Sequence, residues 1–165
     1  MVFVSVDTNI WISLKRLGAI ADVFRLDYRF LMEKNAARDE LLSPVGLLQE
    51  VRSLGLVETD LDDEELKFVF HCQARNVYCR LSTYDLFALS IAKKRNILLL
   101  TGDGPLRKAA AEEGVPHHGL LWVIAELARN EIISEQREND LFDAIEQNLN
   151  LFHLKKEDVD KARHM

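Results

Sequence analysis

Four consecutive apolar residues, Ile97-Leu98-Leu99-Leu100, constrain the fold of this chain more than any other feature. The run is short, apolar at every position and closed by the turn residues Thr101-Gly102-Asp103-Gly104-Pro105. It reads as a strand buried on both faces. A helical pattern enters it through Ala88, Ile91 and Ala92, ending at Asn96, and another leaves it over Leu106 to Glu113. Such strands, alternating with helices, belong to parallel sheets covered on both sides.

The rest of the chain repeats this alternation. Val2 to Val6 is a β-branched strand, followed by an apolar helical pattern through Ile10, Leu14 and Leu17 and a second helical piece from Ala19 to Leu26. Tyr28 to Met32, Leu56 to Thr59 and the weaker Val115 to His118 are the other strands. Asn35 is expected to cap a helix over Ala36 to Leu42, and Ser43-Pro44 to start another with Pro at its first position. Asp60 or Asp62 caps a helix from Asp63 to Arg75, and Ser82-Thr83-Tyr84-Asp85 has the form of a capping box. Helices follow over Leu120 to Asn130, Glu135 to Leu149 and Lys155 to Arg163. The expected fold is α/β: a three-layer α/β/α sandwich with a central parallel sheet of about five strands, plus C-terminal helices. At 165 residues one core is expected, with the sandwich over 1–133 and a helical extension over 134–165 packed on it.

Composition removes several function classes. The net charge is -6, and residues 131–165 alone hold nine acidic against five basic side chains, which argues against a protein that coats nucleic acid regardless of sequence. Cys72 and Cys79 have neither a zinc spacing nor the numbers for a disulfide framework. No apolar run approaches the roughly 18 residues of a membrane helix, and the start lacks the basic region of a signal peptide, so a cytoplasmic protein without membrane contact is expected.

Ligands of open parallel sheets sit beyond the carboxyl ends of the strands. Asp7 directly follows the first strand, and Asp103 lies just past Leu100-Thr101. Asp85 opens the helix leading into that same strand, and an antiparallel helix starts where its strand ends. Glu40, with Asp39 beside it, can reach the same edge from the helix after the second strand. Each acid also has a purely structural reading: Asp7, Asp85 and Asp103 as caps or turn residues, Glu40 as a solvated helix face. Jointly they crowd negative charge, so either one stays protonated or a cation is present. An all-carboxylate set suits Mg²⁺ or Mn²⁺ rather than zinc. Thr8, Asn9 and Thr101 add neutral oxygens that can support a carboxylate or a metal-bound water.

The strand ending in Asp7-Thr8-Asn9, the Ala-Arg-Asp-Glu40-Leu segment, the Tyr-Asp85-Leu-Phe-Ala-Leu-Ser-Ile-Ala helix and the Leu-Leu-Leu-Thr101-Gly-Asp103 turn together resemble a PIN domain. The block LLLTGDGPLRKAAAEEGVPHHGLLWVI is similar to the short prokaryotic branch that includes VapC-type toxins. The resemblance covers about residues 1–133. It implies a Mg²⁺- or Mn²⁺-dependent endoribonuclease that leaves a 5′-phosphate and a 3′-hydroxyl. Asp7, Glu40, Asp85 and Asp103 match the family's acidic quartet, with Asp7, Asp85 and Asp103 as metal ligands. Thr8, Asn9 and Thr101 match its supporting positions. It further implies RNA as substrate, an antitoxin protein as partner and a homodimer.

Lys15, Arg16, Arg80 and Arg107, with Lys108, can grip phosphates around the acids or simply be solvated helix faces. Trp11 can stack on a base but reads more readily as core or interface, and Trp122 as core. Adjacent His117 and His118 point to opposite faces of a strand and are poor co-ligands. Lys93-Lys94-Arg95 suit a helix C-terminus. Ile12, Ile20 and Phe24 of the first helices, and Leu141, Phe142, Ile145, Leu149, Leu151 and Phe152 of the tail, form apolar sets that either pack together or leave surface for a homodimer. Two other functions compete: a non-catalytic protein-binding module on the same fold, and a phosphoacceptor receiver domain. The receiver would need paired acids at the first strand and a Lys after the last, and neither is present.

Overall fold

The computed structural model describes residues 2–164. Five strands, β1 (Val2–Val6), β2 (Tyr28–Glu33), β3 (Val57–Thr59), β4 (Leu98–Leu100) and β5 (His117–His118), form one sheet in the order β3-β2-β1-β4-β5. Every neighbouring pair is parallel. Eleven α-helices among the described residues surround it: α1 (Thr8–Leu17), α2 (Ile20–Val23), α3 (Lys34–Glu40), α4 (Leu47–Leu54), α5 (Asp63–Gln73), α6 (Thr83–Arg95), α7 (Gly104–Glu112), α8 (Leu120–Arg129), α9 (Glu135–Glu146), α10 (Leu149–Phe152) and α11 (Lys156–Arg163). This is the expected three-layer α/β/α sandwich. The strand order reverses between β1 and β4, so the crevice beyond their carboxyl ends is the natural ligand position.

The side-chain period of two sorts the core. Val4, Val6, Phe30, Met32 and Leu100 point to one face and pack with α1, α2, α4 and α8. Leu99 points to the other and packs with α5, α6 and α7. Ser5 shares that second face, 1 % exposed, and its hydroxyl donates to the Ala88 carbonyl at 2.9 Å, which offsets its burial.

Helices α9, α10 and α11 contribute Leu141, Phe142, Ile145, Phe152, Val159 and Ala162 to the cluster that contains Leu14, Leu17 and Ile20. Trp11 is fully buried, stacked on Phe24 at 5.2 Å and edge-on to Phe30 at 5.5 Å. Arg137 donates to the Gly18 carbonyl at 3.1 Å and ties α9 to the end of α1. Apart from Leu151, which stays exposed, the two apolar sets that suggested a homodimer therefore cover one another within a single chain. That surface no longer argues for an interface.

Several local expectations are corrected. Glu33 extends β2 and caps α3, accepting from Ala36 N at 2.8 Å; Asn35 lies inside the first turn and donates its amide to Glu33 at 2.9 Å. Ser43-Pro44 begins a turn rather than a helix. Gly46, at φ +89°, breaks the helical run, and α4 starts only at Leu47. Of the two acids offered as caps for α5, Asp62 does so, in a capping box with Glu65. The Ser82/Asp85 capping box is present as expected, and Asn96 ends α6 in the left-handed region. Lys93 and Arg95 have structural partners: Lys93 donates to the Glu113 carbonyl at 2.6 Å, and Arg95 meets the buried Glu65 carboxylate at 2.7 Å.

Candidate active site

Three helices start at the crevice between β1 and β4, and each brings an acid. Asp7 leaves β1 and caps α1; its carboxylate accepts from Thr8 N at 2.9 Å and from the Thr101 hydroxyl at 2.8 Å. Its own N–H donates to the Leu100 carbonyl at 2.9 Å, which continues the β1–β4 ladder one residue past the strand. Asp103 caps α7 and accepts from Leu106 N at 2.9 Å, while its N–H donates to the Thr101 hydroxyl at 3.1 Å. Thr101, fully buried, thus links Asp7 to Asp103 through one hydroxyl. Asp85 accepts from Ser82 N at 2.9 Å in the first turn of α6. The capping roles and the shared crevice are the same arrangement, since helix N-termini favour carboxylates and here point together.

Glu40 comes from the last turn of α3. It accepts from the Thr8 hydroxyl at 2.7 Å, which turns it toward Asp7. The neighbouring Asp39 faces outward instead and pairs with Arg38 and the Tyr84 hydroxyl. Asn9 accepts from Gly102 N at 3.1 Å and pins the turn after β4 to the start of α1.

The acids feel one another. Burial raises the Asp7 carboxyl to about 7, with the charges of Asp85 and Glu40 adding to the effect and the Thr101 and Thr8 hydrogen bonds opposing it. Glu40 is raised by burial and by Asp85, against the Thr8 hydrogen bond. Asp85 is raised by burial and by Asp103, against its bonds to Ser82. One field therefore covers all four positions.

Glu33 was not foreseen as part of this edge. It is 5 % exposed and lines, with Asp7, Thr8, Glu40 and Tyr84, a cavity of about 10 Å³, roughly the room of one water molecule. Its sequence signal is the same as that of Asp7, an acid at the carboxyl end of an apolar strand. Ending the strand at Met32 concealed it.

The basic residues divide. Arg107 lies beside the crevice, its guanidinium against Gly119 and lining a cavity with Asn9 and Gly102. Arg80 and Lys108 line a separate cleft with Gly104 and Pro105 on the other side of α7. Lys15 and Arg16 are not brought to the acids. Helix α1 carries them about 10 Å away along its axis. There Lys15 pairs with Glu50 at 2.9 Å and Arg16 reaches the Leu151 carbonyl at 3.5 Å. Trp122 is also corrected: it is half-buried rather than core, and stacks on the exposed His118 at 4.4 Å and 3°.

A family model described as a PIN domain, DUF3368, matches residues 6–164. The chain belongs to the PIN-domain family. The match runs through the C-terminal helices as well as the sandwich. A search of curated proteins finds no match. The PIN domain is a nuclease-type fold, and this membership sets the receiver-domain alternative aside. Among the described residues no helix is long and apolar enough to cross a membrane.

The donor set fits a hard divalent ion: oxygen only, with carboxylates whose mutual repulsion a cation would relieve. Among the described residues no three Asp, Glu, His or Cys side chains form a ready ligand group. Mg²⁺ does not require one, since it is commonly held by one or two carboxylates and keeps several waters.

Proposed function

We propose that this PIN-domain protein is a Mg²⁺- or Mn²⁺-dependent endoribonuclease whose working residues are Asp7, Glu40, Asp85 and Asp103. The observation that carries the reading is the convergence of these acids in one field at the β1–β4 crevice, with Asp7 raised to about 7. A protein with no use for that crowding would be more stable without it.

Asp7, Asp85 and Asp103 would hold the ion, one or two of them directly and the rest through the waters it keeps. A bound divalent ion supplies an acidified water and charge compensation at the phosphate. The chain's own residues do the positioning. Thr101 fixes Asp7 and Asp103 relative to each other. Thr8 holds one Glu40 oxygen, leaving the other to accept a proton from an attacking water. The Asp85 and Asp103 hydrogen bonds to backbone likewise use one oxygen each. Asn9 keeps the Gly102 turn against α1, which sets the width of the crevice. Arg107, and Arg80 across α7, stand where flanking phosphates would pass.

The role as toxin of a toxin–antitoxin pair is part of this reading. An antitoxin segment would compete with RNA by placing an Arg or Lys against the acids. The exposed apolar side chains nearest Glu40 in sequence, Leu42 and Val45, are available to such a segment or to a second copy in a homodimer.

The test is cleavage of mixed single-stranded RNAs in Mg²⁺ or Mn²⁺. Asp7→Asn and Asp103→Asn should abolish it while circular dichroism stays unchanged. Wild-type activity in either variant would remove the assigned roles. A wild-type protein that cleaves nothing yet captures a partner would favour the non-catalytic binding module.

A further inference from the structure

A cavity of about 330 Å³ opens beside the acidic crevice, between α1, α8 and the turn joining α10 to α11. It is within the size range of small-molecule pockets, which are concave, mostly apolar and fitted with a few convergent polar groups. Its apolar wall comes from Ile10, Leu120 and Phe152. Its polar side chains are Asn9, Ser13, Arg107, His118, His153 and Asp158. Arg107 forms no ion pair among the described residues, although the chain carries an excess of acid.

Two features say what the cavity would hold. The first is continuity. Asn9 and Gly102 line it, and the hydrogen bond between them is also the border of the crevice that holds Asp7 and Asp103. A ligand in the cavity therefore borders the turn that carries Asp103 and the start of the helix that Asp7 caps. The second is the platform. The His118 and Trp122 rings lie parallel at 4.4 Å, and both line the cavity. Such a pair adds a third flat ring by stacking. Partial burial, with His117 and Arg107 nearby, lowers the His118 pKa and so favours its neutral ring. Arg107 then supplies the cation, and the amide of Asn9 and the carboxylate of Asp158 can read hydrogen-bonding edges.

We propose that this cavity is a nucleotide subsite that takes one unpaired ribonucleotide next to the scissile phosphate, with its base on the His118–Trp122 platform and a phosphate on Arg107. The proposal rests on the ribonuclease reading above and deepens it. Single-stranded substrate follows, because a base held in a duplex cannot enter the cavity. The tail takes part in this recognition, since Phe152 and Asp158 lie beyond the sandwich.

The probes are nucleoside 5′-monophosphates, which carry a base and a phosphate and have no bond to cleave. Ribose 5-phosphate is the control without a base. Trp122 fluorescence reports on the cavity, while Trp11, fully buried in the core, provides a constant background. The expected result is saturable quenching by at least one nucleotide and none by ribose 5-phosphate. Calorimetry should show about a tenfold weaker affinity in His118→Ala, the scale of one base–aromatic stack. Arg107→Gln should weaken the nucleotide but not the corresponding nucleoside. His118 and Arg107 are both exposed, so these variants keep the fold. No nucleotide binding, or affinity unchanged in His118→Ala, overturns the subsite; if no nucleotide binds, the cavity is free for a protein segment instead. RNA cleavage without nucleotide binding would defeat the subsite alone. Nucleotide binding without cleavage would defeat the nuclease reading alone.

Discussion

Replacing Asp7 by Asn should stabilise the metal-free protein at high pH and not at low pH. In the unfolded chain the Asp7 carboxyl titrates near 3.8; folded, it titrates near 7, first because it is buried and then because Asp85 and Glu40 are charged. A group whose folded value is raised contributes stability that is fully present below about pH 4 and lost as the pH rises through about 7. At 1.36 kcal/mol per pH unit the loss is about 4 kcal/mol. Asp7 is only 7 % exposed, so solvent screening takes little from this. Asn removes the charge but keeps one accepting oxygen for the two donors, Thr8 N and Thr101, which costs about 1–2 kcal/mol. The net gain at pH 8 is about 2–3 kcal/mol, or roughly 8 °C in Tm for a chain of this size. At pH 4 the variant should be no more stable than wild type. The assay is thermal unfolding by circular dichroism in EDTA at both pH values. Mg²⁺ should then stabilise the wild type at pH 8 by about 2.7 kcal/mol at a hundredfold excess over Kd, raising its Tm, and leave the variant unmoved. A variant no more stable than wild type at pH 8, or a gain equal at both pH values, would refute this electrostatic reasoning.

Three further outcomes are expected. Thr101→Val should lose the bonds to Asp7 and Asp103, costing about 1–3 kcal/mol in denaturant titration and lowering RNA cleavage, whereas Thr101→Ser should restore much of both. Glu65→Gln should cost about 2–3 kcal/mol in the same titration. That is below the figure for a fully buried pair because its partner Arg95 is 32 % exposed, and cleavage by the folded variant should be unchanged. Phe142→Ala should cost about 3–5 kcal/mol in one cooperative transition, because α9 shares the core of α1 and α2; a separate transition for the tail would show that it does not.

The sheet was legible because each strand is a short apolar run between turn signals, and Asp7 and Asp103 were legible because they end such runs. Asp85 was recognisable through its capping box. Glu33 was missed at a strand end read one residue short. Lys15 and Arg16 misled as site neighbours because nearness in sequence is not nearness in space: a helix starting at Asp7 carries them away from it. Trp122 was read as core, yet helix α8 turns it toward His118, a contact between elements that no local pattern encodes. The apolar sets of α1, α2 and the tail were recognised, but only the packing decided that they cover each other.

The most direct test of the whole account is a single gel. Single-stranded RNA is incubated with wild-type protein and with Asp103→Asn, each in Mn²⁺ and in EDTA. The expected result is internal cleavage, leaving 5′-phosphate ends, in the wild-type Mn²⁺ lane alone. Cleavage that persists in EDTA, or that Asp103→Asn retains in full, would contradict it.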